Sequence, residues 1–131
     1  MDWIKYTLDH PQKLVHIDIR VKRLIEIQPH SMEETDSYCE QLHPFLDEIT
    51  EVSLANNLLH SYTIDLKGID IYQLNPLTVV RMIWNIYNYT CDHFLFERCV
   101  ITGGGSVFNT VFKTVRNFLP SKLRQKITLI S

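Results

Sequence analysis

Three consecutive glycines follow a predicted strand and precede a predicted helix, at residues 103–105. Uncovered backbone N–H groups at the start of a helix are suited to holding an anion. The run from Thr102, TGGGSVF, lacks the Gly-Lys-Ser/Thr ending of a P-loop and the spacing of G-x-G-x-x-G. The pattern therefore favours a flexible turn with Ser106 as the helix N-cap, while Gly104, Gly105 and Ser106 remain candidate anion contacts.

Lysine and arginine are scattered along the chain, with one local excess near its end. The cluster consists of Lys113, Arg116, Lys122, Arg124 and Lys126. Such a cluster can bind phosphate on a lipid head group or on RNA, and it can equally be a solvated helix face and turn. We take Lys113, Arg116 and Lys122 as candidate head-group contacts. The net charge of −2 does not favour a nucleic-acid partner.

Possible metal ligands occur in two places, but neither set is complete. Cys39 and His43 lie four residues apart, on one face of a predicted helix. Cys91, His93 and Cys99 lie close together in sequence, across a loop and into a strand. A structural zinc site needs four ligands, and the sequence offers no second pair with suitable spacing. No metal and no cofactor are predicted.

Asp65 and Asp70 lie in and just after a predicted strand, where a carboxylate can act as a general base. Asp65 could equally accept hydrogen bonds from neighbouring backbone N–H groups. No serine or cysteine has the sequence context of a nucleophile elbow, and no residue set suggests a catalytic triad. The sequence therefore favours a binding protein over an enzyme.

The size and composition predict one globular domain over residues 1–131. Hydrophobic residues make up 45% of the chain and charged residues 21%. Three cysteines without C-x-x-C spacing predict reduced thiols in a cytoplasmic protein. No signal peptide and no apolar run of about 20 residues are visible, so we expect a soluble protein that is at most peripheral to a membrane.

Alternating strand and helix patterns define the predicted fold. Strands are predicted at about 14–27, 61–69, 95–102 and 126–130, after a lead-in over 1–12 with a short helix or irregular turn. Helices are predicted at 31–56, interrupted at Pro44, from Pro76 onward, and at 107–119. The order β-α-β-α-β-α-β predicts an α/β fold with a mainly parallel sheet of four or five strands and flanking helices.

The helix predicted at 107–119 has the clearest apolar stripe in the chain. The stripe comprises Val107, Phe108, Val111, Phe112, Val115, Phe118 and Leu119. Such a stripe usually packs in the core. It could instead line an apolar pocket, with Phe108, Val111, Phe112 and Val115 as candidate ligand contacts.

Four segments resemble the CRAL-TRIO lipid-binding family of the phosphatidylinositol-transfer type. They are VKRLIEIQPHSMEETDSY (21–38), TIDLKGIDI (63–71), PLTVVRMIWNIYNYTCDHF (76–94) and ERCVITGGGSVFNTVFKTVRNFLPSKLRQKITLIS (97–131). The family's Tyr-Pro-Glu segment is replaced by Tyr89-Thr90-Cys91-Asp92. A weaker similarity is to STAS domains, which bind proteins.

The resemblance implies a minimal CRAL-TRIO-like core, without the family's N-terminal lobe and C-terminal gate helix. It also implies non-catalytic binding of a lipid or a membrane phosphoinositide. The alternative is a protein-interaction or assembly module, such as a scaffold, a virion component or a homo-oligomer, that kept the fold and lost the lipid pocket.

Overall fold

A computed structural model of the chain describes residues 3–27, 35–69 and 75–130. The strands are β1 (Ile4–Asp9), β2 (Leu14–Arg20), β3 (Leu59–Asp65), β4 (Phe96–Thr102) and β5 (Ile127–Ile130). The helices are α1 (Val21–Ile27), α2 (Thr35–Asn56), α3 (Pro76–Tyr89), α4 (Gly105–Val115) and α5 (Ser121–Arg124). Short 3-10 turns lie at Cys91–His93 and Arg116–Phe118.

The five strands form one sheet in the order β1-β2-β3-β4-β5. β1 pairs with β2 in an antiparallel hairpin, and β2 to β5 are parallel. The sheet is thus mostly parallel and α/β in class, which confirms the predicted fold. The connections β2–β3, β3–β4 and β4–β5 are right-handed crossovers, and each leads to the next strand in the same direction across the sheet. α2, α3 and α4 therefore lie on the same face of the sheet. Contacts of α3 with α2 and with α4 agree with this arrangement.

The core lies between that face of the sheet and the three helices. Ile17 and Tyr62 of the strands and Leu46, Ile83 and Phe112 of the helices are each fully buried. Burying a side chain of this kind stabilises the fold by roughly 1.5–3 kcal/mol. This layer holds the sheet and the helices in fixed register.

The opposite face of the sheet is not covered by α2, α3 or α4. Strand residues alternate between the two faces, so those beside the fully buried ones point to the uncovered side. Thirteen of these seventeen are polar: Lys5, Thr7, Asp9, His16, Asp18, Arg20, Ser61, Thr63, Asp65, Glu97, Arg98, Thr102 and Thr128. The apolar ones are Leu14, Leu59, Val100 and Ile130. The side chains on this face are therefore mainly polar, and Leu14 and Ser61 among them are buried.

The first strand was not predicted. Residues 4–9 were expected to belong to an irregular lead-in, yet they form β1 and bury Ile4 against the core. The hairpin turn is closed by Gln12, whose N–H donates to Asp9 Oδ1 at 3.2 Å. Pro11 in this turn is the feature that made the segment look irregular.

Two other boundaries were predicted wrongly. The strand that begins at Leu14 (β2) was expected to reach residue 27, but it ends at Arg20 and a helix follows. Val21 and Leu24 are both buried there, and a spacing of three residues suits a helix as well as a bulged strand. α2 runs without a break past Pro44. The burial of Leu42 and Leu46, roughly 1.5–3 kcal/mol each, offsets the cost of about 3 kcal/mol that a proline carries inside a helix. The predicted start of this helix at Ser31 lies outside the described residues.

The start of α3 is as predicted. Pro76 is its first residue and Asn75 its N-cap, with the Leu77 N–H donating to Asn75 Oδ1 at 2.8 Å. Proline fits this position because its fixed φ suits the first helical turn and it has no N–H to leave unpaired.

Candidate functional site

The glycine run at the start of α4 is explained by close packing. A Cβ on Gly103 would lie 2.7 Å from the backbone N of Lys67, and one on Gly104 would lie 2.5 Å from Cδ1 of Phe108. Gly105 is the first residue of α4 and has a positive φ, but nothing lies within 4 Å of its Cβ direction. The predicted N-cap at Ser106 is wrong: the helix begins at Gly105 with Gly104 as N-cap and no side-chain cap bond.

The predicted anion contacts fall at opposite ends of α4. Gly104, Gly105 and Ser106 lie at its start, and Arg116 follows its last residue. At about 1.5 Å of rise per residue, the two ends are roughly 16 Å apart. They cannot hold the same small anion. The start of α4 stands at the carboxyl end of β4, whereas Arg116 stands at the amino end of β5.

A cavity of about 210 Å³ opens beyond the C-terminal end of α4. It is lined by Arg116, Asn117, Ser121, Arg124 and Gln125. The segment is anchored on both sides because Leu119 and Leu123 are buried in the core. Ser121 lies between these anchors, and the other four lining residues lie just before or just after them.

Both arginines of the cavity are oriented by hydrogen bonds to neutral oxygens. Arg116 Nη2 donates to the carbonyl oxygen of Arg124 at 2.9 Å, and Arg124 Nη1 donates to Asn117 Oδ1 at 3.1 Å. Arg124 Nε is buried and has no acceptor. Among the described residues, neither guanidinium forms an ion pair. The cavity therefore carries positive charge with unused N–H donors.

Charge along the chain is strongly uneven. Residues 98–131 contain six of the thirteen Lys and Arg residues and none of the fifteen Asp and Glu residues. All but one of the six lie at Lys113 or beyond, which agrees with the predicted basic cluster. The surface formed by this part of the chain attracts anions.

The two most exposed large apolar side chains of the described residues are Phe94, at 87% exposure, and Phe118, at 77%. Phe94 precedes β4 and Phe118 precedes β5, so both lie where neighbouring parallel strands begin. The turn at Arg116–Phe118 also contacts α3, whose C-terminal end leads to Phe94. We call this side of the domain, formed by Phe94, Arg116, Phe118, Lys122 and Arg124, the amino-terminal edge.

The predicted ligand groove on α4 is placed mostly in the core. Phe108 and Phe112 stack at 5.7 Å and are 5% and 0% exposed. Val115 is half-buried, while Val111 is 40% exposed. A ligand-binding role for these four residues stays a prediction. Lys113 is exposed on the same helix.

Sequence reasoning missed a buried hydrogen-bonded chain of Ser53, His60 and Tyr62. Ser53 Oγ donates to the Ile49 carbonyl and so accepts from His60 Nε2 at 2.8 Å, while His60 Nδ1 accepts from the Tyr62 hydroxyl at 2.8 Å. Burial lowers the pKa of His60 to about 4 and raises that of Tyr62. All three side chains are fully buried, which makes the chain a structural network closed to substrates.

The other candidate chemical groups have local structural partners. The Lys67 N–H donates to Asp65 Oδ1 at 2.9 Å, which ties this carboxylate to the turn after β3. His43 bonds to Asn85 on α3. Asp70 and the side chain of Cys39 lie outside the described residues. Cys91 and Cys99 are free thiols, and burial raises the pKa of Cys99 to about 12.

Neither a metal cluster nor a membrane-spanning helix is found where the structure describes the chain. No three or more His, Cys, Asp or Glu side chains there are grouped to hold a metal ion. No helix over residues 3–27, 35–69 and 75–130 is long and apolar enough to cross a membrane.

The family model of the CRAL/TRIO domain matches residues 13–131. The chain belongs to the CRAL/TRIO family. This finding confirms the resemblance that the four sequence segments suggested. No curated protein sequence matches the chain.

A solved structure shares the fold of this chain. The crystal structure of Sfh5 superposes on 98% of this chain with a TM-score of 0.66 and 13% sequence identity. At that identity the likeness concerns the fold alone. This chain spans 47% of the Sfh5 chain, about half of its length.

Proposed function

We propose that this CRAL/TRIO domain is a non-catalytic lipid-binding module that docks on anionic membranes through its amino-terminal edge. The observation that carries the proposal is that Phe94 and Phe118, which are 87% and 77% exposed, lie on the same side of the sheet as the cations Arg116, Lys122 and Arg124. Peripheral membrane proteins bind through this combination of apolar side chains and positive charge. Membership of a lipid-binding family supports the same function.

The expected strength of such docking can be estimated from its two components. Each Lys or Arg near an anionic surface contributes roughly 1 kcal/mol, and a buried phenylalanine contributes roughly 1.5–3 kcal/mol. Asp92 and Glu97 flank Phe94, whereas no acidic residue lies near Phe118 in sequence. We therefore expect Phe118 to contribute more than Phe94. Anionic lipids concentrate on the cytoplasmic leaflet, which is the location that this proposal implies.

The surroundings of the candidate catalytic side chains support a non-catalytic function. Asp65 is occupied by a turn hydrogen bond, and the Ser53–His60 pair is sealed in the core. The Cys91 thiol donates to Asp92 Oδ1 at 3.8 Å, and both side chains are exposed to solvent.

Vesicle co-sedimentation tests the proposal. The wild-type chain is expected to bind vesicles of phosphatidylcholine with 30% phosphatidylserine, and to release them as salt is raised. Phe118→Ser should weaken vesicle binding by at least fivefold, because it removes an apolar side chain that enters the membrane. Phe118 is exposed, so its loss leaves the core intact. Val107→Ser, which removes an exposed apolar side chain at the other end of α4, is the matched control and should bind as the wild type does.

Two outcomes of this experiment would reject the docking edge. Equal weakening by Phe118→Ser and Val107→Ser would mean that the apolar contact is not specific to this edge. Equal binding to vesicles with and without phosphatidylserine would mean that the cations do not contribute.

A second candidate function, protein interaction through the uncovered sheet face, is favoured by the polarity of that face. Charged and hydroxyl side chains cover most of it, for example Arg98, which donates from Nε to Ser61 Oγ at 2.8 Å. Such a surface suits a polar protein partner better than an acyl chain. Native mass spectrometry showing a lipid-free dimer, with loss of the dimer on Asp18→Lys, would support this function over lipid binding.

A further inference from the structure

The cavity at the amino-terminal edge has the features of a specific anion site. We propose that it binds a phosphate group of the monoester type. For a phosphate on a lipid head group the inference rests on the proposed function. For a free phosphate it stands by itself.

The charge of the cavity is the first argument. Two guanidinium groups line it, and none of its five lining residues is acidic. Two guanidinium groups in a small site repel each other, whereas each of them attracts an anion that lies between them. A dianion matches the two positive charges, whereas a carboxylate supplies only one negative charge.

The unused hydrogen-bond donors are the second argument. Arg124 Nε is buried without an acceptor, a condition that costs stability unless a ligand supplies one. Asn117 accepts from Arg124 through its oxygen, which leaves its NH₂ group free to donate. Ser121 and Gln125 add a hydroxyl and a second amide. The three terminal oxygens of a phosphate monoester can accept from several donors at once.

The cavity is small and open to solvent. Its volume of about 210 Å³ is below the roughly 300 Å³ at which sites for drug-sized ligands begin. It has room for a phosphate group, and because all five lining residues are polar it does not suit an acyl chain.

Calorimetric titration with soluble anions tests the site directly. At low ionic strength, inorganic phosphate and glycerol 3-phosphate should bind the full chain at least tenfold more tightly than acetate. Arg116→Gln and Arg124→Gln should each weaken phosphate binding tenfold or more. Arg124→Lys keeps the charge but lacks the Nε–H donor and the planar fork, so it should also lose several-fold in affinity.

The matched control is Arg81→Gln, which removes the same charge from an exposed position on α3. It should change phosphate affinity less than twofold. Thermal unfolding of each variant is the control that checks whether the fold is retained. Equal weakening by Arg81→Gln and Arg124→Gln, acetate binding as tight as phosphate, or no phosphate binding by the wild type would overturn the proposal.

Vesicles distinguish a lipid phosphate from a free one. A lipid source predicts tighter binding to vesicles with phosphatidic acid than to vesicles with phosphatidylserine at equal surface charge, and loss of this preference in Arg124→Gln. Phosphate binding in solution without this preference identifies a free phosphate as the ligand. Phe118→Ser should lose vesicle binding and keep its affinity for soluble phosphate, so failure of the docking proposal and failure of the phosphate site give different results.

Discussion

The interior beneath α4 and the amino-terminal edge beyond it use the same residue type in opposite ways. Phe112 is fully buried in the interior, while Phe118, only six residues later, is 77% exposed. At 3.6 residues per turn, Phe118 continues the side of the apolar stripe that carries Val107 and Val111, which are 61% and 40% exposed. Phe112 lies on the other side of the stripe, which faces the core. Membership of an apolar stripe therefore does not by itself predict burial.

Buried polar groups in these two regions also differ, in whether they have hydrogen-bond partners. In the interior, His60 uses both ring nitrogens, with Ser53 and Tyr62 as partners. At the edge, Arg124 Nε is just as hidden from solvent but has no partner. Satisfied polar groups stabilise a fold, whereas an unsatisfied donor beside a cavity indicates a place for a ligand.

The largest expected effect is on the interior phenylalanine. Phe112→Ala should lower the free energy of unfolding by about 3–5 kcal/mol, because it leaves a cavity in the core. Chemical denaturation measures the change. Phe118→Ala is the matched control at the edge and should stay within about 0.5 kcal/mol of the wild type. Similar losses for the two variants would remove the distinction between interior and edge.

Gly103 tests whether the glycine run serves packing. Gly103→Ala should cost about 3 kcal/mol, since the residue has a φ of 76° and its Cβ would meet the backbone of Lys67. Gly105→Ala has a similar φ but open space, so strain alone should cost about 1–2 kcal/mol. Denaturation curves of the two variants give the difference. A larger loss for Gly105→Ala would mean that the close approach is not what requires glycine.

The interior should also confer a pH dependence that the edge does not. Burial holds the pKa of His60 at about 4, below its usual 6.5, so the folded state stays neutral where the unfolded state gains a proton. Stability is complete above about pH 6.5 and falls as the pH drops toward 4, by up to about 3 kcal/mol. Unfolding measured from pH 7 to 4.5 should show this slope in the wild type and in His10→Gln, which removes an exposed histidine. The same slope in His60→Gln would contradict the assignment.

The smallest effect on stability is expected at an exposed cation of the edge. Lys122→Gln should leave the free energy of unfolding within about 0.5 kcal/mol of the wild type. It should weaken binding to anionic vesicles roughly fivefold, as one cation near the surface contributes about 1 kcal/mol. Denaturation and co-sedimentation on the same preparation measure both. An unchanged vesicle affinity would place Lys122 outside the docking surface.

Much of the fold follows from local pattern, because β3, α3, β4 and α4 each carry a clear period or cap, such as Asn75-Pro76. The segment of α1 was predicted as strand because the three-residue spacing of Val21 and Leu24 suits a bulged strand as well as a helix. The site was predicted only in part. The basic cluster is visible in the sequence, but the cavity exists because α5 turns Arg124 back toward Arg116, a long-range result of burying Leu119 and Leu123. Phe94 joins the edge only through the pairing of β4 with β5.

Hydrogen–deuterium exchange on vesicles tests docking by the amino-terminal edge most directly. The chain is compared free and bound to phosphatidylcholine vesicles that contain phosphatidic acid. The edge account predicts slower exchange in peptides covering residues 90–95 and 116–126, with β1 and the start of α4 unchanged. Protection confined to the uncovered sheet face, or to the turn at 103–106, would contradict it.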